Sequence, residues 1–271
     1  MYGFNKLIAI SLFVIIGLTN CNTIRENDRT TPAKTADFKK PVVVIDFTGW
    51  SCVNCPDAHR IISNMEKIAG NKIIAVAMHA NCSFTIPYGD ALDLRCAAAT
   101  EYYKYLGVKE DMGLPIGNVD FTKYDDKLLI DRDLWTSAVA QRIIMDIPLK
   151  IEITCQTDNS TREITINSKI STSKETDKNY SLILWLLESN IVGMQKDGTT
   201  TNKDYVHNHV LRDAINGIWG ENISVSPVND FEKTNIYNVA AADWNLQNCS
   251  VVGIVVNSDT KEVITACEVK F

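Results

Sequence analysis

The sequence predicts an α/β domain followed by an all-β domain. Two patterns divide the 271 residues in this way. A strand–helix–strand pattern covers residues 41–78, whereas from residue 149 onward the chain consists of short β-rich segments separated by polar turns. A chain of this length is long enough for two domains. We therefore expect an α/β domain at residues 39–146 and a β-sandwich at residues 147–271.

The N-terminus has the pattern of a secretion signal. An apolar run, residues 7–18, follows a basic start and is too short to span a bilayer as a helix. The run ends in Leu-Thr-Asn-Cys, which resembles a lipobox, although a lipobox normally has a small residue where this chain has Asn20. Plain cleavage and an uncleaved anchor are the alternatives. The pattern predicts a signal peptide at residues 1–20, a lipid on Cys21 and a polar linker over residues 21–38.

Composition limits the class of partner. The formal net charge is −6, so the charge offers no electrostatic support for binding nucleic acid. Eight cysteines are many for a cytosolic chain of this size, and together with a secretion signal they indicate an oxidising compartment.

Residues 41–60 are the stretch in which we expect the chemistry. A run of β-branched residues predicts a buried strand, and a short turn and Cys52-Val53-Asn54-Cys55 follow it. A helical pattern begins at Pro56, which suits a first helical turn. Two residues between cysteines at a strand–helix junction allow the sulfurs to meet, and the free N–H groups of the helix favour the thiolate of Cys52. The alternatives are a structural disulfide and half of a zinc site, although no second Cys-x-x-Cys exists.

This arrangement of strand, Trp, Cys-x-x-Cys and helix resembles the thioredoxin superfamily. The resemblance implies that Cys52 is the nucleophile and Cys55 the resolving cysteine. It also implies that Asp46, at the offset of the superfamily's buried acid, accepts the proton of Cys55. Two departures stand out, because thioredoxins place the Trp directly before the first cysteine, where this chain has Ser51 after Trp50, and usually have Gly-Pro between the cysteines.

The resemblance also implies a cis-proline before the strand that faces the dithiol. Pro115 has the matching position, since a strand pattern follows it, whereas none follows its competitor Pro87. Trp50, Leu114 and Pro115 would then line a substrate groove. Residues 131–145 read as the closing helix of this domain.

Two isolated cysteines, Cys82 and Cys96, fall in an apparent insertion over residues 79–112. We expect them to pair with each other, although the connectivity of cysteines cannot be deduced from sequence.

The second half reads as an immunoglobulin-like β-sandwich, because short strands follow one another without helices. The last two strands form a predicted hairpin around residues 257–260, which places Cys249 and Cys267 at similar distances from the turn and suggests a cross-strand disulfide. Cys155 is then left over as a buried thiol. His207 and His209 alternate on one predicted strand and could both face a metal, but the structural interpretation is stronger and we expect no metal site.

Several longer phrases resemble the outer membrane protein 28 family, which consists of bacterial lipoproteins with a thioredoxin-like domain and a C-terminal β-domain. The phrases are FTGWSCVNCPDAH, AMHA at residues 77–80, EYYKYLGV at residues 101–108 and YVHNHVLR at residues 205–212. The resemblance implies a lipid-anchored protein of the cell envelope, at the outer membrane and facing the periplasm or the surface. It does not settle activity, since some members lack the cysteine pair.

Two functions fit these patterns. The first is a membrane-anchored thiol–disulfide oxidoreductase that acts on thiols or disulfides of a protein substrate through Cys52 and Cys55 and needs no cofactor. The second is a non-catalytic lipoprotein that binds a protein or glycan partner through its β-domain. The sequence does not determine the direction of a redox reaction, because that depends on the three-dimensional surroundings of Cys52.

Overall fold

A computed structural model describes residues 39–239 and 243–271. The predicted signal peptide, the predicted lipid site at Cys21 and the predicted linker to residue 38 therefore lie outside the described residues. The helices are α1 (Cys55–Ala69), α2 (Ala97–Tyr105) and α3 (Arg132–Ile143). The strands are β1 (Val42–Phe47), β2 (Ile73–Met78), β3 (Ile116–Val119), β4 (Leu149–Asp158), β5 (Glu163–Thr172), β6 (Tyr180–Glu188), β7 (Ile191–Asp197), β8 (Thr200–His207), β9 (Val210–Ala214), β10 (Glu221–Ile223), β11 (Phe231–Asn238), β12 (Cys249–Asn257) and β13 (Val263–Lys270).

One sheet runs through both halves of the chain. Its strand order is β13-β12-β6-β9-β2-β1-β3, and β10 pairs with β6 at the side of this path. β1 and β2 are parallel, as the strand–helix–strand pattern predicts, and β3 is antiparallel to β1. The two halves join where Ala77 of β2 pairs with Val210 of β9.

This continuity corrects the prediction of a separate β-sandwich that begins at residue 147. Strands β6, β9, β12 and β13 extend the sheet of the first half instead of forming a sheet of their own. The described residues all belong to one compact unit. The physical reason is burial on both faces: every residue of β6 and β12 is buried, as is expected for central strands of a covered sheet. The overall architecture is a mixed α/β fold with several sheets and few helices.

A three-stranded sheet, β11-β5-β4, covers one face of the shared sheet. Side chains on β4 alternate between buried and exposed, so that Leu149, Ile151 and Ile153 face inward against β6 and β12. Strands β7 and β8 form a separate two-stranded hairpin. Its turn at Gly198 follows Asp197, and an Asp-Gly pair is a strong hairpin signal.

The helices cover the two faces of the β1–β2 region. α1 presents Ala58, Ile62 and Met65 at helical spacing to the same core cluster as Val42 and Val44 of β1, and α3 packs in that cluster too. α2 lies in the opposite core, where Tyr102 packs edge-to-face on Trp185 and the Trp185 indole N–H donates to its hydroxyl over 2.9 Å.

A buried charge network ties the two halves together beyond the sheet. Asp120 is fully buried and accepts from Lys40 and, over 2.9 Å, from Arg142. Arg142 also donates to Glu262, beside the β12–β13 hairpin, over 2.7 Å. The network therefore links the start of β1, the end of α3 and the last hairpin.

Among the described residues, no helix combines the length and the apolar composition needed to cross a membrane.

Candidate functional site

Cys52 and Cys55 form a disulfide where the loop after β1 enters α1. Their Cα atoms are 5.5 Å apart, Cys55 is the first residue of the helix, and Pro56 occupies the first turn as expected. Both cysteines are buried, with Cys52 1% and Cys55 0% exposed. A redox-active nucleophile is normally reachable from solvent, so this burial is the first property of the site that any function must explain.

Asp46 lies in β1 and is 0% exposed. Neither of its carboxylate oxygens accepts a hydrogen bond within the described residues. His59 of α1 lies within ion-pair distance of this carboxylate, with its Nε2 3.3 Å from Asp46 Oδ2. A buried carboxyl group without a hydrogen-bond donor is unusual and costs free energy, so the position of Asp46 beside His59 needs an explanation.

Leu114 and Pro115 are joined by a cis peptide bond, which confirms the prediction for Pro115. Pro115 directly precedes β3, whose Ile116 pairs with Phe47 at the end of β1. This register places the Leu114–Pro115 peptide beside the strand end from which the Cys52 loop departs.

Trp50 does not stand open in a groove, in contrast to the expectation for a substrate-lining residue. It is 8% exposed, and its indole N–H donates to the carbonyl of Ile86 over 2.9 Å. Ser51 donates to the carbonyl of Phe84 through both its backbone and its hydroxyl group. The segment after Cys82 thus packs along one side of the Cys52 loop.

The β7–β8 hairpin covers the other side of the Cys52 loop. The buried side chain of Gln195 donates to the carbonyls of Gly49 (3.2 Å) and Cys52 (3.0 Å). The backbone N–H of Lys196 donates to Trp50 over 2.8 Å, and that of Gly198 donates to Val53 over 3.0 Å. Four carbonyls of the loop are therefore bound by one hairpin, and this docking shields the disulfide.

The predicted Cys82–Cys96 disulfide is not formed, and both residues are free thiols. Cys96 caps α2, because its sulfur accepts the backbone N–H of Ala99 over 3.2 Å. Cys82 lies 3.8 Å from the hydroxyl of Thr85 in a separate turn. Each sulfur thus has its own local partner, which explains why the two do not meet.

The predicted Cys249–Cys267 disulfide is also not formed. The predicted β12–β13 hairpin is confirmed, but its register pairs Cys267 with Gly253 and not with Cys249. The turn is centred further along the chain than expected, and a register irregularity lies between Val255 and Val256. Cys155 is likewise a free thiol. Burial raises the pKa of Cys155 to about 11 and that of Cys267 to about 12.

The chain's four histidines line one cavity of about 110 Å³ next to the disulfide loop. They come from α1, from the end of β2 and from the β8–β9 junction. Asp46, Glu66 and Tyr205 line the same cavity. The histidines are His59, His79, His207 and His209.

His207 and His209 do not share a strand, which corrects the sequence interpretation. β8 ends at His207, and His209 adopts a left-handed φ of 57° before β9 begins. Burial lowers the pKa of His207 to about 4 and holds the pKa of His79 well below its ordinary value. Within the described residues, no group of three His, Cys, Asp or Glu side chains is arranged to hold a metal ion.

The hairpin contact and the histidine cavity were both missed in the sequence. The Asp197-Gly198 pair could have revealed the hairpin, because such a pair between strand-like segments favours a tight turn. The cavity leaves no comparable signal, since its histidines lie on elements far apart in the chain.

Comparison with known proteins gives a family and a fold. A model of the family described as outer membrane protein Omp28 matches residues 99–271, a range that does not include Cys52 and Cys55. No curated protein matches the chain.

Two solved structures share the fold at low identity, and a third is similar over a smaller part of the chain. HBP35 of Porphyromonas gingivalis aligns with a TM-score of 0.67 and 15% identity, over 87% of this chain and 76% of that one. A protein of Agrobacterium tumefaciens aligns with a TM-score of 0.50 and 13% identity, over 85% of this chain and 94% of that one. A domain of the outer membrane lipoprotein Omp28 from Porphyromonas gingivalis has 24% identity and a TM-score of 0.35, over 46% of this chain and 88% of that one.

Proposed function

Because the chain belongs to the outer membrane protein Omp28 family, we propose that it is a lipoprotein anchored through Cys21 that binds a protein or glycan partner. Its location at the outer membrane follows from the family. The observation that carries a binding role is the burial of the Cys52–Cys55 disulfide under the β7–β8 hairpin. A bridge shielded in this way stabilises a loop and offers no open redox group to a substrate.

The outer face of the β11-β5-β4 sheet is the surface that best suits such a partner. It carries amide, hydroxyl and charged groups side by side, and Lys169 lies between Asp230 (2.9 Å) and Glu232 (2.8 Å). Groups of this kind hydrogen-bond to peptides and to glycans. The shallow groove on this face is lined by Glu152, Thr154, Asn167, Ser168, Lys169, Glu232, Lys233 and Thr234.

Binding is tested with the mature chain on a glycan array and by cross-linking on intact cells. A specific signal should fall at least about tenfold in the double variant Asn167→Ala/Thr234→Ala, which removes two hydrogen-bonding groups from the groove. Gln156→Ala, at an exposed position on the same strand as Glu152 but outside the groove, serves as the matched control. A signal that is equal in all three proteins would show that the partner binds elsewhere.

Anchoring is tested by Cys21→Ala. The variant should fail to incorporate a labelled fatty acid and should leave the membrane fraction, because a lipid supplies the membrane affinity in this proposal. A variant that remains in the membrane after washing at high salt would contradict the lipid anchor.

A thiol–disulfide oxidoreductase is the second candidate, and the buried carboxylate of Asp46, 3.3 Å from the His59 imidazole, favours it. We infer a thioredoxin-like arrangement for residues 39–146, and the β1–α1–β2 unit, the disulfide at the start of α1 and the cis peptide before Pro115 support it. In the oxidising direction, a thiolate of the protein substrate attacks Cys52 Sγ, the disulfide breaks, and Cys55 takes a proton from Asp46. A second substrate thiolate then attacks the mixed disulfide, which yields the substrate disulfide and the free Cys52 thiol after protonation.

Trapping of mixed disulfides in the native cell envelope distinguishes the two candidate functions. In Cys55→Ser the mixed disulfide through Cys52 cannot be resolved, so an oxidoreductase should accumulate high-mass bands that DTT removes. The double variant Cys52→Ser/Cys55→Ser is the control. Specific bands that are absent from the control would favour the oxidoreductase, whereas their absence, with a bridge that resists mild dithiols, would leave the binding role.

A further inference from the structure

We propose that His59 and Tyr205 form a proton path between the buried carboxyl group of Asp46 and the solvent outside the histidine-lined cavity. This inference rests on the second candidate function, because it concerns the proton that a Cys52/Cys55 reaction must move. Neither residue needs to touch the sulfurs. Both act on the reaction through Asp46, by carrying its proton to or from solvent.

The need for a path follows from the burial of Asp46. Whenever Asp46 gives a proton to Cys55 or takes one from it, the carboxyl group must later exchange that proton with solvent. Asp46 is 0% exposed, and its oxygens have no hydrogen-bond partner among the described residues. Asp46 lines the cavity but has no surface exposed to solvent, so a neighbouring side chain that reaches solvent offers the proton a way out.

His59 is placed for this transfer. Its Nε2 lies 3.3 Å from Asp46 Oδ2 and 3.2 Å from Thr48 Oγ1. Its Nδ1 lies 2.5 Å from the hydroxyl oxygen of Tyr205, on the hairpin. The His59 side chain is 22% exposed, so the imidazole spans the distance between a closed carboxylate and a more open region.

The transfer balances as a relay. The O–H bond of protonated Asp46 breaks and an N–H bond forms at Nε2 of His59. The proton on Nδ1 passes to the oxygen of Tyr205, and the hydroxyl proton of Tyr205 passes to a water molecule. The reverse sequence returns a proton to Asp46. Burial raises the pKa of Tyr205 to about 12, so its hydroxyl group starts and ends the relay protonated.

Other titratable groups surround the path. His79, at the end of β2, and His207, on β8, face the same cavity as His59, and burial keeps both imidazoles neutral near pH 7. At the side of α1, Glu66 pairs with His209 over 3.2 Å. His209 lines the cavity without an ion pair to Asp46, and it is therefore the matched control.

The test is the rate at which DTT reduces the Cys52–Cys55 bridge in the full chain between pH 5 and pH 9. His59→Gln should slow reduction by about tenfold or more and flatten the pH profile, since general acid–base groups contribute roughly 10²-fold to 10⁴-fold. Tyr205→Phe should slow it less, and His209→Gln should match the wild type. In His59→Gly, added imidazole should restore the rate.

The results that would contradict the relay can be told apart from those that would contradict the oxidoreductase candidate. If His59 merely holds the hairpin in place, its loss exposes the bridge and reduction becomes faster, which overturns the relay. A rate and pH profile equal to those of His209→Gln, or a slow rate that imidazole does not restore, overturns it as well. If DTT fails to reduce the wild-type bridge while it reduces the urea-unfolded chain, the oxidoreductase candidate itself fails and the relay fails with it.

Discussion

At the scale of single residues, the most informative side chains are buried histidines that are neutral, because a charged imidazole in their place would cost free energy. His207 is 3% exposed and lies 6.0 Å, between ring centroids, from His79. Two imidazolium ions in this space would repel each other and lose their hydration. The cavity beside the disulfide therefore remains intact only while these rings are neutral.

The pKa of His207 predicts how stability depends on pH. Its pKa is about 4 in the folded chain and about 6.5 ordinarily, so between these values the unfolded chain binds a proton that the folded chain does not. The free energy of unfolding should fall as pH drops from 6.5 to 4, by on the order of 3 kcal/mol from this residue. Urea midpoints at pH 7.5 and pH 4.5 measure the effect.

His207→Gln is the control for this prediction, because glutamine does not titrate. Its midpoint should depend less on pH than that of the wild type. Equal pH dependence in the two proteins would assign the effect to other groups.

The free thiols should be slow to react in the folded chain. Burial raises the pKa of Cys249 and of Cys267 to about 12, so at pH 8 few molecules carry either thiolate. Iodoacetamide should modify both at least about a hundredfold more slowly in buffer than in urea, as followed by mass spectrometry. A chain isolated from the envelope with a Cys249–Cys267 disulfide would contradict both this prediction and the register of the last hairpin.

At the scale of elements, the β7–β8 hairpin decides whether the disulfide is accessible. It contacts the Cys52 loop through backbone hydrogen bonds, the buried side chain of Gln195 and the ammonium group of Lys196 over the Trp50 ring. Gln195 can be replaced so that two hydrogen bonds to the loop are lost while the hairpin's main chain is unchanged. It is thus the natural point at which to loosen the cover.

Gln195→Ala should speed reduction of the disulfide by DTT several-fold. The variant loses the bonds to Gly49 and Cys52, and a net hydrogen bond contributes about 1 kcal/mol. Thr201→Ala, at an exposed position on the same hairpin, should leave the rate unchanged. Equal rates in all three proteins would show that the hairpin does not limit access.

The elements also show which parts of the fold were predictable from sequence. The βα unit around Cys52 was predictable, because its apolar strand and the amphipathic spacing of Ile62 and Met65 are local patterns. The cis-proline was placed through a resemblance that a short motif carries. The pairing of β2 with β9 was not predictable, since the partners of a buried strand are chosen by residues far away in the chain.

The candidate site also has residues that could be predicted from sequence and residues that could not. The positions of Asp46, Cys52 and Cys55 lie within one short stretch, so sequence could single them out. Tyr205 reaches His59 only because the hairpin folds back over α1, and no spacing rule connects residues so distant. The predicted Cys249–Cys267 pair failed because a shift in the centre of one turn changed which residues face each other.

At the scale of the whole molecule, the shared sheet and the network at Asp120 make the two halves interdependent. Residues that precede the predicted boundary pair or bond with residues that follow it, at Ala77 with Val210 and at Arg142 with Glu262. We therefore expect the described chain to unfold in one cooperative step.

Asp120→Asn tests this expectation. The substitution leaves the buried amine of Lys40 and the guanidinium of Arg142 without their carboxylate, and breaking a buried pair costs about 3–5 kcal/mol. Urea unfolding followed by far-UV circular dichroism and by tryptophan fluorescence should shift to lower urea and remain coincident. Glu152→Gln, which removes an exposed pair with Lys150, should cost less than about 1 kcal/mol. Transitions that separate between the two probes would mean that the halves unfold independently.

The gathering of every histidine around one cavity has a spectroscopic consequence. In a protein whose only four imidazoles share a single location, the whole histidine region of a nuclear magnetic resonance spectrum reports on that location. Ring resonances would register the hairpin leaving α1, a redox substrate arriving at the disulfide loop or a proton reaching His59, without any isotope label. The chain thus carries its own local probe at the point where its two candidate functions differ.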